Sequence, residues 1–158
     1  MTLVVGADVN KHDIVLEVAA SAVDAFPPSI TAPSTDDAGA LNDMCERLAG
    51  HLTAHGVGIV AIVSDVGRVS PSDGIARGRL EGAVMLAARR AGAVVVRHST
   101  GDALKHLGLD TTGNKRRRLR STITDALGSD RVSPDPERRA AALAVGLRAA
   151  DLSLEQIQ

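Results

Sequence analysis

The sequence has almost no aromatic residues. Among its 158 residues Phe26 is the only aromatic side chain, and tyrosine and tryptophan are absent. Domains that recognise single-stranded nucleic acid by stacking bases, such as RNA-recognition and OB modules, need aromatic platforms. The composition therefore argues against base-stacking domains, and it predicts a core made of valine, leucine, isoleucine and alanine.

Cysteine is equally scarce, since Cys45 is the only one. This excludes a disulfide framework and any zinc site with several cysteine ligands. No apolar run reaches the roughly 18 residues that a membrane span requires, and the N-terminus lacks a basic stretch followed by an apolar one. We therefore expect a cytoplasmic protein, and the length predicts one domain over residues 1–158.

The formal net charge of −1 hides an uneven distribution of charge along the chain. Residues 1–66 carry 2 basic and 9 acidic residues, residues 67–120 carry 12 and 4, and residues 121–158 carry 4 and 6. The middle third is therefore strongly basic. Such a concentration of charge indicates a surface that binds a polyanion, although solvated helix faces with no ligand also carry charge runs.

Apolar periodicity predicts an α/β fold in which a mixed sheet is flanked by helices. Residues 2–7 and 14–19 are typical of two strands that form a hairpin. Residues 57–63 predict a central parallel strand that is buried on both faces. Residues 93–96 predict another buried strand, and the prolines between positions 27 and 33 allow only a short edge strand or a loop.

Helical spacing of apolar residues predicts five helices. The first is expected to be capped by Ser34 or Thr35 and to end near Ala54. The second is expected over about residues 75–91, after a loop rich in glycine, serine and proline at 67–76. The other three are expected over about residues 101–107, 115–127 and 136–151.

Four stretches follow one another in an order and spacing that are informative together. They are VGAD at residues 5–8, VAIVSD at 60–65, GRLEGAV at 78–84 with AGAVV at 91–95 behind it, and the lysine- and glycine-containing segment 105–119. These stretches resemble the RuvC-type Holliday junction resolvases, which have the ribonuclease-H-like fold. The opening residues GADVNK are also similar to the N-terminal domain of IS110-type transposases, which share that fold.

The resemblance implies a metal-dependent endonuclease that acts on branched DNA as a homodimer, with Mg²⁺ or Mn²⁺ as its cofactor. In such enzymes two metal ions roughly 3.5–4 Å apart activate a water molecule and stabilise the leaving oxygen. Hard cations of this kind prefer carboxylate oxygens. The resemblance therefore directs attention to acidic residues at the strand ends and on the last helix.

The first two acids of the implied metal site lie near the ends of two strands. Asp8 follows the first strand at the position of the family's first acid. Val63 stands where the family has its second acid. Asp65 is the candidate instead, because residues two apart in a strand share a face, although an aspartate there is also typical of a turn.

The last helix departs most from the family pattern. Arg138 and Ala141 stand at the positions of the family's two acids, and neither binds a metal. Asp135 and Glu137 are the remaining candidate ligands, although Asp-Pro-Glu is also typical of a helix N-terminus. An arginine at position 138 would alternatively neutralise the carboxylates and leave an inactive site.

The densest run of positive charge lies on the predicted helix over residues 115–127. Leu119, Ile123 and Leu127 fall on one face of that helix, which leaves its basic residues on the other face to contact phosphates. Such contacts position a nucleic acid without recognising its sequence. The candidate nucleic-acid-binding residues are Lys115, Arg116, Arg117 and Arg120, with Lys105 added by the resemblance and Arg68, Arg77 and Arg79 as further candidates.

Three functions remain open at this point. The first is a structure-selective DNA endonuclease that uses Mg²⁺ or Mn²⁺. The second is a domain of the same fold that binds structured DNA or RNA after losing its catalytic acids. The third, an actin-like nucleotide-binding domain, is disfavoured because those chains carry two such domains.

Overall fold

A five-stranded mixed sheet lies at the centre of the computed structural model, which describes residues 2–20, 26–32, 34–65 and 67–158. The strand order is β3-β2-β1-β4-β5. β1 pairs antiparallel with β2 and parallel with β4, and β4 pairs parallel with β5. The strands span Leu3–Val9 (β1), Asp13–Val18 (β2), Ser29–Thr31 (β3), Val57–Val63 (β4) and Val94–His98 (β5).

The helices cover the two faces of this sheet. One core cluster joins one face of the sheet to α1 and α2, and a second joins the opposite face to α3, α4 and α5. No helix within the described residues is long and apolar enough to cross a membrane. The helices span Ala38–Ala54 (α1), Pro71–Arg90 (α2), Thr100–His106 (α3), Lys115–Leu127 (α4) and Pro136–Ala150 (α5).

The predicted α/β class, the hairpin and the central parallel strand are confirmed. The predicted cap of α1 at Ser34 or Thr35 is wrong, since Asp37 caps this helix by accepting from the backbone amides of Gly39 and Ala40. The short edge strand predicted among the prolines is β3, and Pro33 at the end of that segment lies outside the described residues.

Two further expectations are corrected by the structure. The segment 71–76, expected as loop, forms the first turns of α2, because the Ser70 hydroxyl caps the amide of Asp73 and Pro71 takes the first helical position. The strand β5 was expected to be buried, but it lies at the edge of the sheet, where Val94 is 62% exposed. A run of valines indicates a strand but does not indicate its place in the sheet.

The backbones of α5 and β1 approach each other very closely where the two elements cross. A Cβ atom added to Gly6 would lie 1.7 Å from the carbonyl oxygen of Ala142, so only glycine fits. Residues 139–147 of α5 are buried against the sheet and the neighbouring helices. This contact fixes the position of the N-terminal turn of α5 beside the end of β1.

We expect Gly6→Ala to lower the free energy of unfolding by about 2–3 kcal/mol or more, because the backbone of α5 must move away from β1. Urea unfolding followed by circular dichroism measures the change. Gly82→Ala is the matched control, since Gly82 is exposed within α2 with open space around it, and the change there is expected to stabilise by up to ~1 kcal/mol. Equal stability of Gly6→Ala and wild type would contradict the described contact.

Candidate functional site

The candidate site lies at the ends of β1 and β4, on the face of the sheet that α4 and α5 cover. Asp8 belongs to β1, is 4% exposed and shares this face with Val4. Ala7 pairs with Ile62 in the parallel register, so Val63 is the neighbour of Asp8 on β4. Val63 is 1% exposed and part of the apolar core on this face. The position at which the resemblance implies a second acid is thus next to Asp8 and apolar.

Two arginines bind the carboxylate of Asp8. Arg116 of α4 donates from Nη1 to Asp8 Oδ2, and Arg138 of α5 donates from Nε to Asp8 Oδ1 at 3.4 Å. Arg138 also donates from Nη2 to the backbone oxygen of Asp8 at 2.9 Å and from Nη1 to Asp13 Oδ1 at 2.6 Å. Both carboxylate oxygens of Asp8 therefore face a guanidinium group.

Local structure explains why these two arginines turn inward. On α4 the buried Leu119 and Ile123 hold the helix against the core, and Arg116 lies one turn before them, at the edge of the buried face. On α5 the contact at Gly6 and Ala142 brings the preceding turn, with Arg138, to the end of β1. The burial of Asp8 then favours this pairing, since an unpaired buried carboxylate is costly.

Asp65 lies close by but its carboxylate points toward the start of α3. Its oxygens accept from the backbone amide of Thr100 at 2.7 Å and from the Thr100 hydroxyl. Burial raises the pKa of Asp65, but the two hydrogen bonds from Thr100 and the positive charge of Arg116 outweigh it, so the pKa lies below the ordinary value. Arg116 Nη2 donates to the backbone oxygen of Asp65 at 3.3 Å.

The two predicted acids of the last helix, Asp135 and Glu137, lie at the start of α5. Asp135 is the exposed residue before α5, has a left-handed backbone with φ of 60°, and makes no side-chain capping bond. Glu137 lies in the first turn of α5, where its Oε1 is 3.9 Å from Nη1 of Arg120. The segment is therefore the start of a helix, as one interpretation of the sequence predicted. The side chain of Asp135, however, does not cap the helix by a hydrogen bond.

These side chains do not fit a divalent metal. Within the residues that the structure describes, no three acidic, histidine or cysteine side chains come together. Mg²⁺ and Mn²⁺ need several oxygen ligands, whereas Asp8 has guanidinium groups at both oxygens. The metal-ligand roles of Asp8, Asp65, Asp135 and Glu137 stay predictions, and no metal-dependent step follows from this geometry.

Arg77, predicted as a phosphate ligand, has an internal role. It donates from Nε to the backbone oxygen of Val9 at 3.0 Å, from Nη2 to that of Val63 at 3.1 Å, and from Nη1 to Glu81 at 2.9 Å. Its side chain is 12% exposed. Arg77 therefore ties the ends of β1 and β4 to α2, and the only sequence signal for this was Glu81 at four residues' spacing.

The other predicted nucleic-acid ligands lie at the surface. Within the described parts of the chain, Lys105, Lys115 and Arg117 are exposed and have no ion-pair partner. Arg68 is exposed just before α2, Arg79 pairs with the exposed Asp36, and Arg120 faces Glu137. Their phosphate-binding roles stay predictions.

A cavity of about 410 Å³ opens beside Asp8. The turn between β1 and β2 and the segment from Gly67 to the start of α2 form its outer wall. Lys11 and Asp73, which sequence analysis did not single out, also line the cavity. Their ion pair at 3.2 Å joins the turn between β1 and β2 to the start of α2. The charged residues that line the cavity are Asp8, Lys11, Asp73, Arg77, Arg116 and Arg138.

We expect Asp65→Asn to lower the free energy of unfolding at pH 7 by on the order of 1–2 kcal/mol, because hydrogen bonds to a charged acceptor are the stronger ones. The folded-state pKa of Asp65 is depressed. Its contribution is therefore present above the unfolded pKa, about 3.9, and is lost as the pH falls through the folded value.

The difference between wild type and Asp65→Asn is thus expected to shrink as the pH falls below about 4. Urea unfolding from pH 7 downward measures it. Asp43→Asn on the exposed side of α1 is the control and is expected to change little. A difference that stays constant across the range would show that the charge of Asp65 is not what stabilises the start of α3.

Comparison with solved structures identifies proteins of similar fold. No protein-family model matches the chain, and no curated protein matches it significantly. The solved structure of Thermus thermophilus RuvC is similar with a TM-score of 0.74 at 21% identity, covering 95% of this chain and 94% of that one. T. thermophilus RuvC in complex with a Holliday junction substrate is similar with a TM-score of 0.71 at 20% identity, over 95% and 94% of the two chains. The chain therefore has the RuvC-type, ribonuclease-H-like fold that its sequence predicted.

Proposed function

We propose that this protein binds branched DNA without cleaving it and without a metal ion. The observation that carries the proposal is the pairing of Asp8 with Arg116 and Arg138. In a nuclease of this fold the corresponding space holds metal ions between carboxylates. Here two fixed positive charges compensate Asp8 instead, so binding of a divalent cation at the same carboxylate is disfavoured by charge repulsion.

The replacements around Asp8 support the loss of catalysis. Three positions that the resemblance assigns to acids hold Val63, Arg138 and Ala141. Val63 neighbours Asp8 in the sheet, Arg138 contacts it, and Ala141 is fully buried on α5. Of the four acids that the resemblance implies, Asp8 alone is retained at its position, which leaves it without the implied partner carboxylates of a two-metal centre.

The basic surface supports retained binding. Lys105 on α3, and Lys115 and Arg117 in the first turn of α4, are exposed. Phosphate contacts from such side chains position a nucleic acid without reading its bases. The lack of aromatic residues favours recognition of shape over base stacking. Branched DNA is the favoured ligand because a similar solved structure is a complex with a Holliday junction substrate.

The alternative is the metal-dependent endonuclease, which Asp8 at the end of β1 favours. In that case Mg²⁺ or Mn²⁺ would need Asp8 together with Asp65 and the acids near the start of α5, and both arginines would have to leave Asp8. A homodimer, implied by the resemblance, is compatible with both functions. The two functions differ in their need for metal, and this difference is measurable.

We expect the protein to bind a labelled four-way junction more tightly than linear duplex of equal length, and to do so in EDTA as well as in Mn²⁺. No nicked product is expected in either buffer. Gel-shift titration and denaturing gels measure binding and cleavage on the same samples. Nicking in Mn²⁺ that disappears in EDTA and in Asp8→Asn would establish the endonuclease and refute the proposal.

We expect Arg117→Gln to weaken junction binding several-fold and to reduce the slope of log affinity against log salt by about 1, because one phosphate contact is lost. Arg89→Gln is the matched control. It removes the same charge from the exposed last turn of α2 and is expected to leave the slope unchanged. Equal effects of the two variants would show that general charge, and not the surface of α4, binds the DNA.

A further inference from the structure

The cavity beside Asp8 contains more positive than negative side chains. Four cations line it, namely Lys11, Arg77, Arg116 and Arg138, against the two carboxylates of Asp8 and Asp73. Its volume of about 410 Å³ falls within the range of small-molecule sites, roughly 300–1,000 Å³. The cavity is therefore large enough for a phosphate group with part of its nucleoside.

The guanidinium groups in this cavity have unused hydrogen-bond donors. An arginine offers five N–H donors, and within the described residues Arg116 uses two of them, on Asp8 and on the backbone of Asp65. Arg77 uses three, and two remain. The Arg116 side chain is 26% exposed. The guanidinium of Arg116 thus has donors left for a phosphate oxygen, and a bidentate contact also needs the donor that Asp8 uses.

Asp8 occupies the donors that such a phosphate would use. Its two oxygens accept from Arg116 and Arg138, and a carboxylate and a phosphate compete for the same fork geometry. Lys11 lies at the same cavity, and its pair with Asp73 is exposed and weak enough to reopen. The carboxylate of Asp8 therefore acts as an internal anion where an incoming anion would bind.

We infer that this cavity is a phosphate-binding subsite in which Arg116 exchanges Asp8 for a phosphodiester of the bound nucleic acid. The inference rests on the proposed function, because it names the group that contacts the former metal site. A metal ligand and an internal anion predict opposite effects of removing the charge of Asp8. If Asp8 is a metal ligand, the protein loses metal binding. If Asp8 is an internal anion, the protein gains affinity for phosphate without metal.

The test measures junction binding in EDTA for wild type, Asp8→Asn and the double variant Asp8→Asn/Arg116→Gln. We expect Asp8→Asn to raise the affinity at least threefold, and Arg116→Gln to remove that gain. Asp43→Asn, which removes a carboxylate from α1 away from the cavity, is expected to change the affinity little. An unchanged or lower affinity of Asp8→Asn, with a normal melting temperature, would overturn the inference.

Inorganic phosphate is the second probe, and it works without any DNA. We expect phosphate to raise the melting temperature of wild type, more strongly that of Asp8→Asn, and not that of Arg116→Gln. If Asp8→Asn does not fold, the comparison of wild type with Arg116→Gln still tests the subsite. An equal rise of the melting temperature in both proteins would overturn the inference.

The two probes separate the possible failures. If wild type binds no junction but phosphate stabilises it through Arg116, the proposed function fails while the subsite stands. If Asp8→Asn gains affinity for phosphate alone and not for DNA, the subsite takes a free phosphate, and the assignment to a phosphodiester is overturned.

Discussion

The charge of one buried carboxylate governs the site on which the function depends. Asp8 lies at the end of the central strand and is 4% exposed, so its negative charge must be compensated within the protein. Two positive groups fixed to α4 and α5, Arg116 and Arg138, supply that compensation.

The pairing of Asp8 with the two arginines depends on the fold around it. Gly6 allows α5 to contact β1, and this contact carries the first turn of α5 to Asp8. Arg77 links the ends of β1 and β4 to α2 and so closes the other side of the cavity. These contacts hold Asp8, Arg116 and Arg138 together at the end of β1.

Much of the fold could be predicted from the sequence. Helix α4 has the predicted bounds, and the hairpin of β1 and β2 and the parallel strand β4 follow from strong local apolar patterns. The start of α2 was missed because its capping residues, Ser70 and Pro71, are also typical of loops. At the site, the resemblance offered neutralisation of the carboxylates by Arg138 as one alternative, and Arg138 does contact Asp8. The inward turn of Arg116 was missed, although its spacing of three and seven residues from Leu119 and Ile123 places it at the edge of the buried face of α4.

The most direct test of the account is the melting temperature of wild type in increasing Mn²⁺, compared with EDTA. If the folded protein binds the metal and the unfolded chain does not, the metal must raise the melting temperature. The account predicts no rise for wild type and no difference in this respect from Asp8→Asn. A rise that saturates with Mn²⁺ in wild type and is absent in Asp8→Asn would show that the arginines give way to a metal, and it would contradict the account.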